Sequence, residues 1–300
     1  MASPLSPADL DDVLGRIDAA LDRAEEVLRD FTAGETAANW KSAGDPVTEA
    51  DLRVDRVLRE TLPRAGEGWL SEETADTPDR LARERTWIVD PLDGTREFVM
   101  GVPEWCVAIG FVVSGIPVAG GILNPATGQR LVGAVGRGVL LAEPPGLPPA
   151  GTPLPPEGSG GKPLPVPPAP QPPGPREAPR PVRATDRDRL EGAVVLASRS
   201  EVKRGEWDRF AGAPFAVRAC GSVAWKLALV AAGKADATWT LVPKNEWDVA
   251  AGAALVLAAG GVVRALPWEE ARFNREKTLL DGFVACGPGL ADPIRRLLDL

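Results

Sequence analysis

Residues 87–98 read WIVDPLDGTREF. Trp87, Ile88 and Val89 make an apolar run suited to a buried strand. Asp90 ends the run. Pro91 and Gly94 then punctuate a tight turn, with Asp93 inside it and Thr95 placed to cap the segment that follows. Two carboxylates three residues apart across such a turn can converge on one point. Like charges that close repel, and a cation between them resolves the conflict. Oxygen ligands without imidazole or thiolate suit Mg²⁺, or alternatively Mn²⁺. The backbone N–H groups of Gly94 and Thr95, at a helix start, suit a phosphate. The plainer alternative is an Asx-turn whose two acids satisfy only backbone groups.

Outward from this stretch, strand-like runs continue at 107–113, 118–123, 131–135 and 139–142, separated by Gly/Pro turns. A meander of mostly antiparallel strands fits them. Upstream, Leu10, Val13, Leu14, Ile17, Leu21, Ala24 and Leu28 recur at helical spacing behind Ser6, Pro7 and Asp9, which suit a helix start. A second helix is expected from Thr48 to before Pro63, with Leu52, Val57 and Leu58 buried. Downstream the pattern alternates. Strands are expected at 194–197, 235–241, 262–266 and 283–286, and helices at 223–232, 249–259 and from Pro293. That alternation reads as α/β. Between the two parts, residues 143–182 are mostly Pro and Gly and cannot build a core, so an exposed insertion is expected. Three units follow: 1–142, α+β and rich in candidate ligands; the insertion 143–182; and 183–300, α/β.

Composition narrows the chemistry. The 300 residues are 44 % hydrophobic, enough for one large domain or two medium ones. A formal net charge of −8 argues against nucleic acid and against anionic membranes. No apolar run is long enough to span a bilayer, and the first residues, MASPLSPADLDD, do not resemble a signal peptide. Cys106, Cys220 and Cys286 are far apart, odd in number and set among apolar or small neighbours. They read as buried free thiols, and the expected compartment is the cytoplasm. Histidine and tyrosine are absent. This removes histidine phosphatases, Ser-His-Asp hydrolases and the usual zinc sites, and leaves carboxylates, hydroxyls, Lys and Arg. A nucleophilic-aspartate DxDGT motif does not fit either. The spacing here is DxxDGT, far from the N-terminus.

Three more segments matter. Glu72 and Glu73 end a short apolar stretch after Leu70 and Ser71; alone, this is an ordinary solvated turn. Asp51 lies three residues after Thr48 and alone reads as a capping box. Asp248, in NEWDVAAG at 245–252, opens an Ala-rich helix, where an aspartate is common for dipole reasons.

Taken in order, these four segments resemble the signature of the lithium-sensitive, magnesium-dependent phosphatase superfamily. Its pattern is an Asp, then Glu-Glu, DPxDGT and WDxAA. The family includes inositol monophosphatases, fructose-1,6-bisphosphatases and 3′(2′),5′-bisphosphate nucleotidases. The resemblance runs from about Leu10 to Cys286, apart from the Pro-rich insertion. It implies a layered αβαβα sandwich and a phosphoric monoester hydrolase acting on a small phosphorylated metabolite. It implies that Glu72, Asp90, the Leu92 carbonyl, Asp93 and Asp248 hold two or three Mg²⁺ ions. Asp90 would bridge two ions. Asp51, Thr95 and Glu72 would serve the attacking water. Inhibition by Li⁺ and a homodimeric assembly are further expectations carried by the resemblance.

The substrate is read from finer features. Arg96-Glu97-Phe98, Lys41 ahead of DPVTEAD, Ser198-Arg199-Ser200, and Gly221-Ser222 leading to Lys226 resemble segments of the CysQ-type bisphosphate nucleotidases. On that reading Lys41, Ser198, Arg199, Gly221, Ser222 and Lys226 join Asp93, Gly94, Thr95 and Asp248 around the substrate, expected to be 3′-phosphoadenosine 5′-phosphate. An inositol-1-monophosphatase or a broad sugar-phosphate phosphatase is the alternative in class. A binding protein that kept the fold, with the Pro-rich arm recruiting a partner, is the alternative outside it.

Overall fold

The computed structural model describes residues 4–40, 46–146 and 175–300. Helix α1 (Pro7–Leu28) begins where the Ser6 hydroxyl accepts the Asp9 N–H at 3.2 Å. Leu10, Val13, Ile17, Leu21, Ala24 and Leu28 form its buried stripe. Helix α2 (Glu49–Thr61) is capped by Thr48 in a reciprocal capping box with Asp51. Its inner face is Ala50, Val54 and Leu58, while Leu52, expected to be buried, is 45 % exposed. Leu52 lies two positions past Ala50, about 200° round the helix, and so points away from that face. Val57 is half-buried. A two-stranded antiparallel ribbon, β1 (Ala38–Trp40) with β2 (Pro46–Thr48), leads into α2.

Among the described residues, the larger sheet has seven strands in chain order. They are β3 (Gly68–Ser71), β4 (Arg85–Asp93), β5 (Cys106–Val113), β6 (Ile116–Asn124), β7 (Gln129–Ala134), β8 (Gly138–Ala142) and β9 (Arg180–Val182). β3 runs parallel to β4, and every later neighbour is antiparallel, the expected meander. Two expectations need correction. The strand expected to end at Asp90 continues to Asp93 through a bulge, treated below. The exposed insertion expected over 143–182 is too long at both ends. Arg180–Val182 pairs with β8, satisfying backbone groups that would otherwise form an open edge. Glu143 is buried, accepting from Gln129 at 2.7 Å and pairing with Lys234 at 2.6 Å. Residues 147–174 lie outside the described residues.

Short helix α3 (Thr95–Val99) follows β4. The second half contributes α4 (Arg199–Lys203), α5 (Val223–Ala231), α6 (Glu246–Ala258) and α7 (Ala291–Leu298). Its strands are β10 (Val194–Ser198), β11 (Ala216–Cys220), β12 (Ala237–Thr240), β13 (Lys244–Asn245), β14 (Val262–Ala265), β15 (Glu269–Glu270), β16 (Leu279–Leu280) and β17 (Phe283–Cys286). β13 and β16 form a separate ribbon. The others make a six-stranded sheet in the order β11-β10-β12-β17-β14-β15, parallel over the first three and antiparallel beyond. β11 shows only a short apolar signal in the sequence, AVRAC broken by Arg218, because it is a half-exposed edge strand.

Alternation along the strands builds three cores and five layers. Trp87, Val89, Val107, Ile109 and Phe111 pack under α1 and α2. Ile88, Cys106, Ala108 and Val112 face the other way, onto α5 and α6. The second sheet presents Leu196, Val263, Phe283 and Ala285 to the same two helices, and Val195, Ala197, Trp239 and Val284 to α7. The architecture is thus the αβαβα sandwich. Trp207, Trp225 and Trp239 are core residues, and Trp268 lies beneath the Arg295 guanidinium.

Small residues let α6 sit close on the larger sheet. A Cβ on Gly120 of β6 would stand 2.5 Å from the Ala251 carbonyl oxygen of α6; against the neighbouring helix α5, one on Gly252 would stand 2.3 Å from Leu227 Cβ. Backbone cannot give way as a flexible side chain does. Gly120→Ala is therefore expected to cost about 1–3 kcal/mol in urea unfolding, by overpacking a site with no slack.

Candidate active site

The bulge in β4 is the local event that builds the site. Asp90 pairs with Ala108 and Asp93 with Cys106, so one extra residue is accommodated between them. In a regular strand Asp90 and Leu92 would share a face. With the bulge, Leu92 joins the core under α1 and α2, and Asp90 and Asp93 both open on the opposite side. Asp90 Oδ1 accepts the Leu92 N–H at 3.0 Å, which holds the bulge. Gly94 follows at φ +94°, and a Cβ there would lie 2.8 Å from the Glu104 carbonyl oxygen. Only glycine meets both demands.

Helix α2 supplies two acids one turn apart. Asp51, in the first turn, accepts from the Thr48 hydroxyl at 2.6 Å and the Thr48 N–H at 2.8 Å through Oδ2. Its Oδ1 accepts the Thr95 hydroxyl at 3.0 Å. The Thr95 hydroxyl also lies 2.9 Å from the Leu92 carbonyl. Asp55, the next turn on, accepts from the Ser71 and Thr74 hydroxyls. It thereby fixes both ends of the segment carrying Glu72. The capping box and the water-serving role expected of Asp51 are not rivals geometrically, since each uses a different carboxylate oxygen.

Asp248 arrives from the other half. Its Oδ2 accepts the Asn245 N–H at 3.0 Å at the start of α6. Next to it Glu246, fully buried, accepts the Asn274 and Arg275 N–H groups at 2.6 and 3.2 Å. Arg80 of the first half in turn donates to Asn274 at 2.9 Å, so the α6 start is tied across the molecule. One carboxylate oxygen from each of Glu72, Asp90 and Asp248 lies within 4.8 Å of the others. These residues, with Leu92, Asp93, Gly94 and Thr95, line an open cavity of about 360 Å³.

Burial first, then the charges of Glu72, Asp93 and Asp248, push the Asp90 carboxyl well above its ordinary range. Burial first, then Asp93 and Glu72, do the same to Asp248. Asp93 is raised by burial, against the opposing hydrogen bonds of Ser222 and Ala224. Asp51 is raised by burial, against its bonds to Thr48 and Thr95. Such a cluster binds protons or a cation, and a bound cation favours the charged carboxylates. The donor set is oxygen alone, which fits a hard divalent ion.

Of the expected substrate-facing residues, Ser198, Gly221 and Ser222 line the cavity. Arg199 and Lys226 are not in its lining. Arg199 makes a two-pronged ion pair with Glu104, and Lys226, 3 % exposed, donates to the Gly221 and Ser222 carbonyls. In both cases oxygens of the protein itself meet the cation: the Glu104 carboxylate for Arg199, and two backbone carbonyls for Lys226. Lys41 lies outside the described residues. The cations that do line the cavity, Arg96, Arg204 and Lys244, were not singled out as site residues. Neither was Glu104, which accepts the Gly221 N–H at 2.7 Å. Arg96 and Lys244 directly flank the DPLDGT and NEWDVAAG segments, whereas no motif in the sequence marks Arg204 or Glu104.

The αβαβα layering with an acidic cavity between its halves defines a class of phosphomonoester hydrolases. The sequence profile of the inositol monophosphatase family matches residues 9–295, and the chain belongs to that family. It is 27 % identical over 281 residues to the inositol-1-monophosphatase of Rhizobium meliloti, covering 90 % of this chain and 89 % of that one. Over 127 residues it is 41 % identical to the histidinol-phosphatase of Mycobacterium tuberculosis, covering 41 % of this chain and 48 % of that one. The crystal structure of CysQ from Bacteroides thetaiotaomicron, a bacterial member of the inositol monophosphatase family, superimposes with a TM-score of 0.68. It shares 26 % identity and covers 91 % of this chain and 96 % of that one. The chain is accordingly a phosphatase acting on small phosphorylated substrates. Among the described residues no helix is long and apolar enough to cross a membrane.

Proposed function

We propose that the chain hydrolyses 3′-phosphoadenosine 5′-phosphate to AMP and phosphate in a Mg²⁺-dependent reaction. The observation that carries the hydrolytic part is the Thr95–Asp51 hydrogen bond, which opens on the cavity where Glu72, Asp90 and Asp248 converge. Glu72, Asp90, Asp93, Asp248 and the Leu92 carbonyl would hold the ions. Mg²⁺ so held lowers the pKa of water and neutralises charge on the phosphate and departing oxygen. The chain's own part is positioning. Thr95 Oγ offers water a hydrogen-bond acceptor, and Asp51 is oriented to take the proton through that hydroxyl. Gly94 and Thr95 N–H groups suit the phosphate oxygens. No covalent phosphoenzyme is needed, and none of the three buried cysteines serves as a nucleophile.

The substrate assignment rests on Arg96, Arg204 and Lys244, three cations lining an otherwise acidic cavity. Their positive charge suits a substrate with a second anionic group more than one with a single phosphate, even with Arg204 also paired to Glu206 and Lys244 to Glu201. The names of two relatives favour a second reading, an inositol or histidinol monophosphate substrate. A panel of the three phosphates with Mg²⁺ separates these. The bisphosphate is expected to exceed both others in kcat/KM by at least about tenfold. Inositol 1-phosphate turned over a hundredfold faster would reverse the assignment. Chelation is expected to stop turnover on every substrate and added Mg²⁺ to restore it. Inhibition by Li⁺ belongs to the same proposal. The Pro/Gly-rich stretch is proposed as a spacer between the halves.

A further inference from the structure

Lys226 lies in the first turns of α5, buried beside the site but outside the cavity lining. Its ammonium donates to the Gly221 carbonyl at 2.7 Å and the Ser222 carbonyl at 3.1 Å. From the other side, the Glu104 carboxylate accepts the Gly221 N–H at 2.7 Å, and the Glu104 backbone carbonyl accepts the Ser222 N–H at 3.1 Å. All four backbone polar groups of these two residues are therefore engaged. The outcome is felt at Asp93. The Ser222 hydroxyl donates to Asp93 Oδ2 at 2.6 Å while accepting the Trp225 N–H at 2.9 Å, and the Ala224 N–H donates to the same Oδ2. Asp93 belongs to the first half of the chain and its donors to the second. Their meeting depends on where residues 221–224 are held.

We propose that Lys226 is a positioning residue: it clamps the Gly221 and Ser222 peptides and so aims Ser222 and Ala224 at Asp93, and it does not contact the substrate. The geometry makes a second-phosphate role for Lys226 costly, because leaving the clamp would strip the Gly221 carbonyl of its ammonium partner and leave the Ser222 carbonyl only the Lys226 N–H at 3.3 Å. Arg199 acts on the opposite side in the same sense, bracing the Glu104 carboxylate that receives Gly221. This rests on the reading of the cavity as the phosphatase site.

The test is Lys226→Met, assayed on 3′-phosphoadenosine 5′-phosphate and on inositol 1-phosphate. A shifted Asp93 is expected to lower kcat by about 30-fold on both substrates alike, with KM changed less than about threefold. A loss confined to KM of the bisphosphate, or no loss on either, overturns the proposal. Tb³⁺ binding, read by luminescence sensitised through Trp247 of the cavity lining, gives a readout free of turnover. The variant is expected to bind the ion about tenfold more weakly, and unchanged binding counts against the clamp. Lys226→Arg keeps charge and donors and is expected to recover at least about a third of wild-type kcat on both substrates. If Lys226→Met does not fold, Lys226→Arg decides alone. Equal small shifts on both substrates support the clamp, and a selective bisphosphate KM defect overturns it. A wild-type protein that binds Tb³⁺ but hydrolyses neither substrate defeats the functional reading, while the ion-binding arm still decides the role of Lys226.

Discussion

Asp90→Asn is expected to lower kcat/KM by at least about 10³ while making the ion-free protein more stable. The two effects have one cause. Asp90 is 1 % exposed and sits among Glu72, Asp93 and Asp248. Without a cation its charge is buried against three others of the same sign. An amide keeps the shape and can still accept the Leu92 N–H, but it removes the repulsion. Relief of about 1 kcal/mol would raise the melting temperature by about 2–4 °C in chelator at neutral pH. The sign with pH follows from the raised carboxyl. The folded state holds the Asp90 proton more tightly than the unfolded state does. Its share of stability is therefore complete at low pH and is lost as pH rises from the ordinary carboxylate value through the raised one. The advantage of the variant should accordingly shrink on acidification. With Mg²⁺ present the order should reverse, since the wild type then gains binding energy that the amide forfeits. Calorimetry with and without Mg²⁺ reads all of this. A variant less stable than wild type in chelator would show that the cluster is not in electrostatic conflict.

Most of the elements were legible in the sequence because their signals are local. The period of α1, the apolar runs of β4 to β8 and the Ala-rich α6 each announce themselves within a dozen residues. What escaped depends on partners far along the chain. β9 is three residues long, lies in a Pro/Gly-rich context and exists because β8 has an open edge. β11 has its few small apolar residues broken by Arg218 because it closes an edge of the second sheet. Leu52 misled because an apolar residue on a helix does not say which way it points.

The site divides along the same line. Asp51, Glu72, Asp90, Asp93, Thr95 and Asp248 sit in short motifs whose order along the chain resembles a known family; the fold brings the last five to one cavity, and Asp51 stands behind its lining, hydrogen-bonded to Thr95. The bulge that aligns Asp90 with Asp93 is hidden in the sequence, where the same residues read as a turn. The cations are the least legible part of the site. A Lys or Arg near a motif is equally able to reach substrate, solvent or a carbonyl of its own chain. Lys226 meets carbonyls and Arg199 the Glu104 carboxylate, while Arg204 and Lys244, the latter directly ahead of the Asp248 segment, line the cavity.

The second large effect concerns the hydroxyl that links two elements of the site. Thr95→Ala is expected to lower kcat by about 10²–10³ with KM little changed, and Asp51→Asn by a similar factor. Their hydrogen bond joins α2 to the start of α3, with the hydroxyl donating to Asp51 Oδ1. If the pair passes a proton from water to carboxylate, removing either member breaks the whole path. The double variant should then be no slower than the slower single, whereas independent contributions would multiply to about 10⁴–10⁶. Asp51 also caps α2 through its other oxygen, so Asp51→Asn is expected to cost about 0.5–2 kcal/mol of stability that Thr95→Ala does not. Comparing the two singles therefore separates chemistry from capping. Equal losses in kcat with unequal losses in stability are the outcome this geometry demands, and multiplicative losses in the double variant would refute the shared proton path.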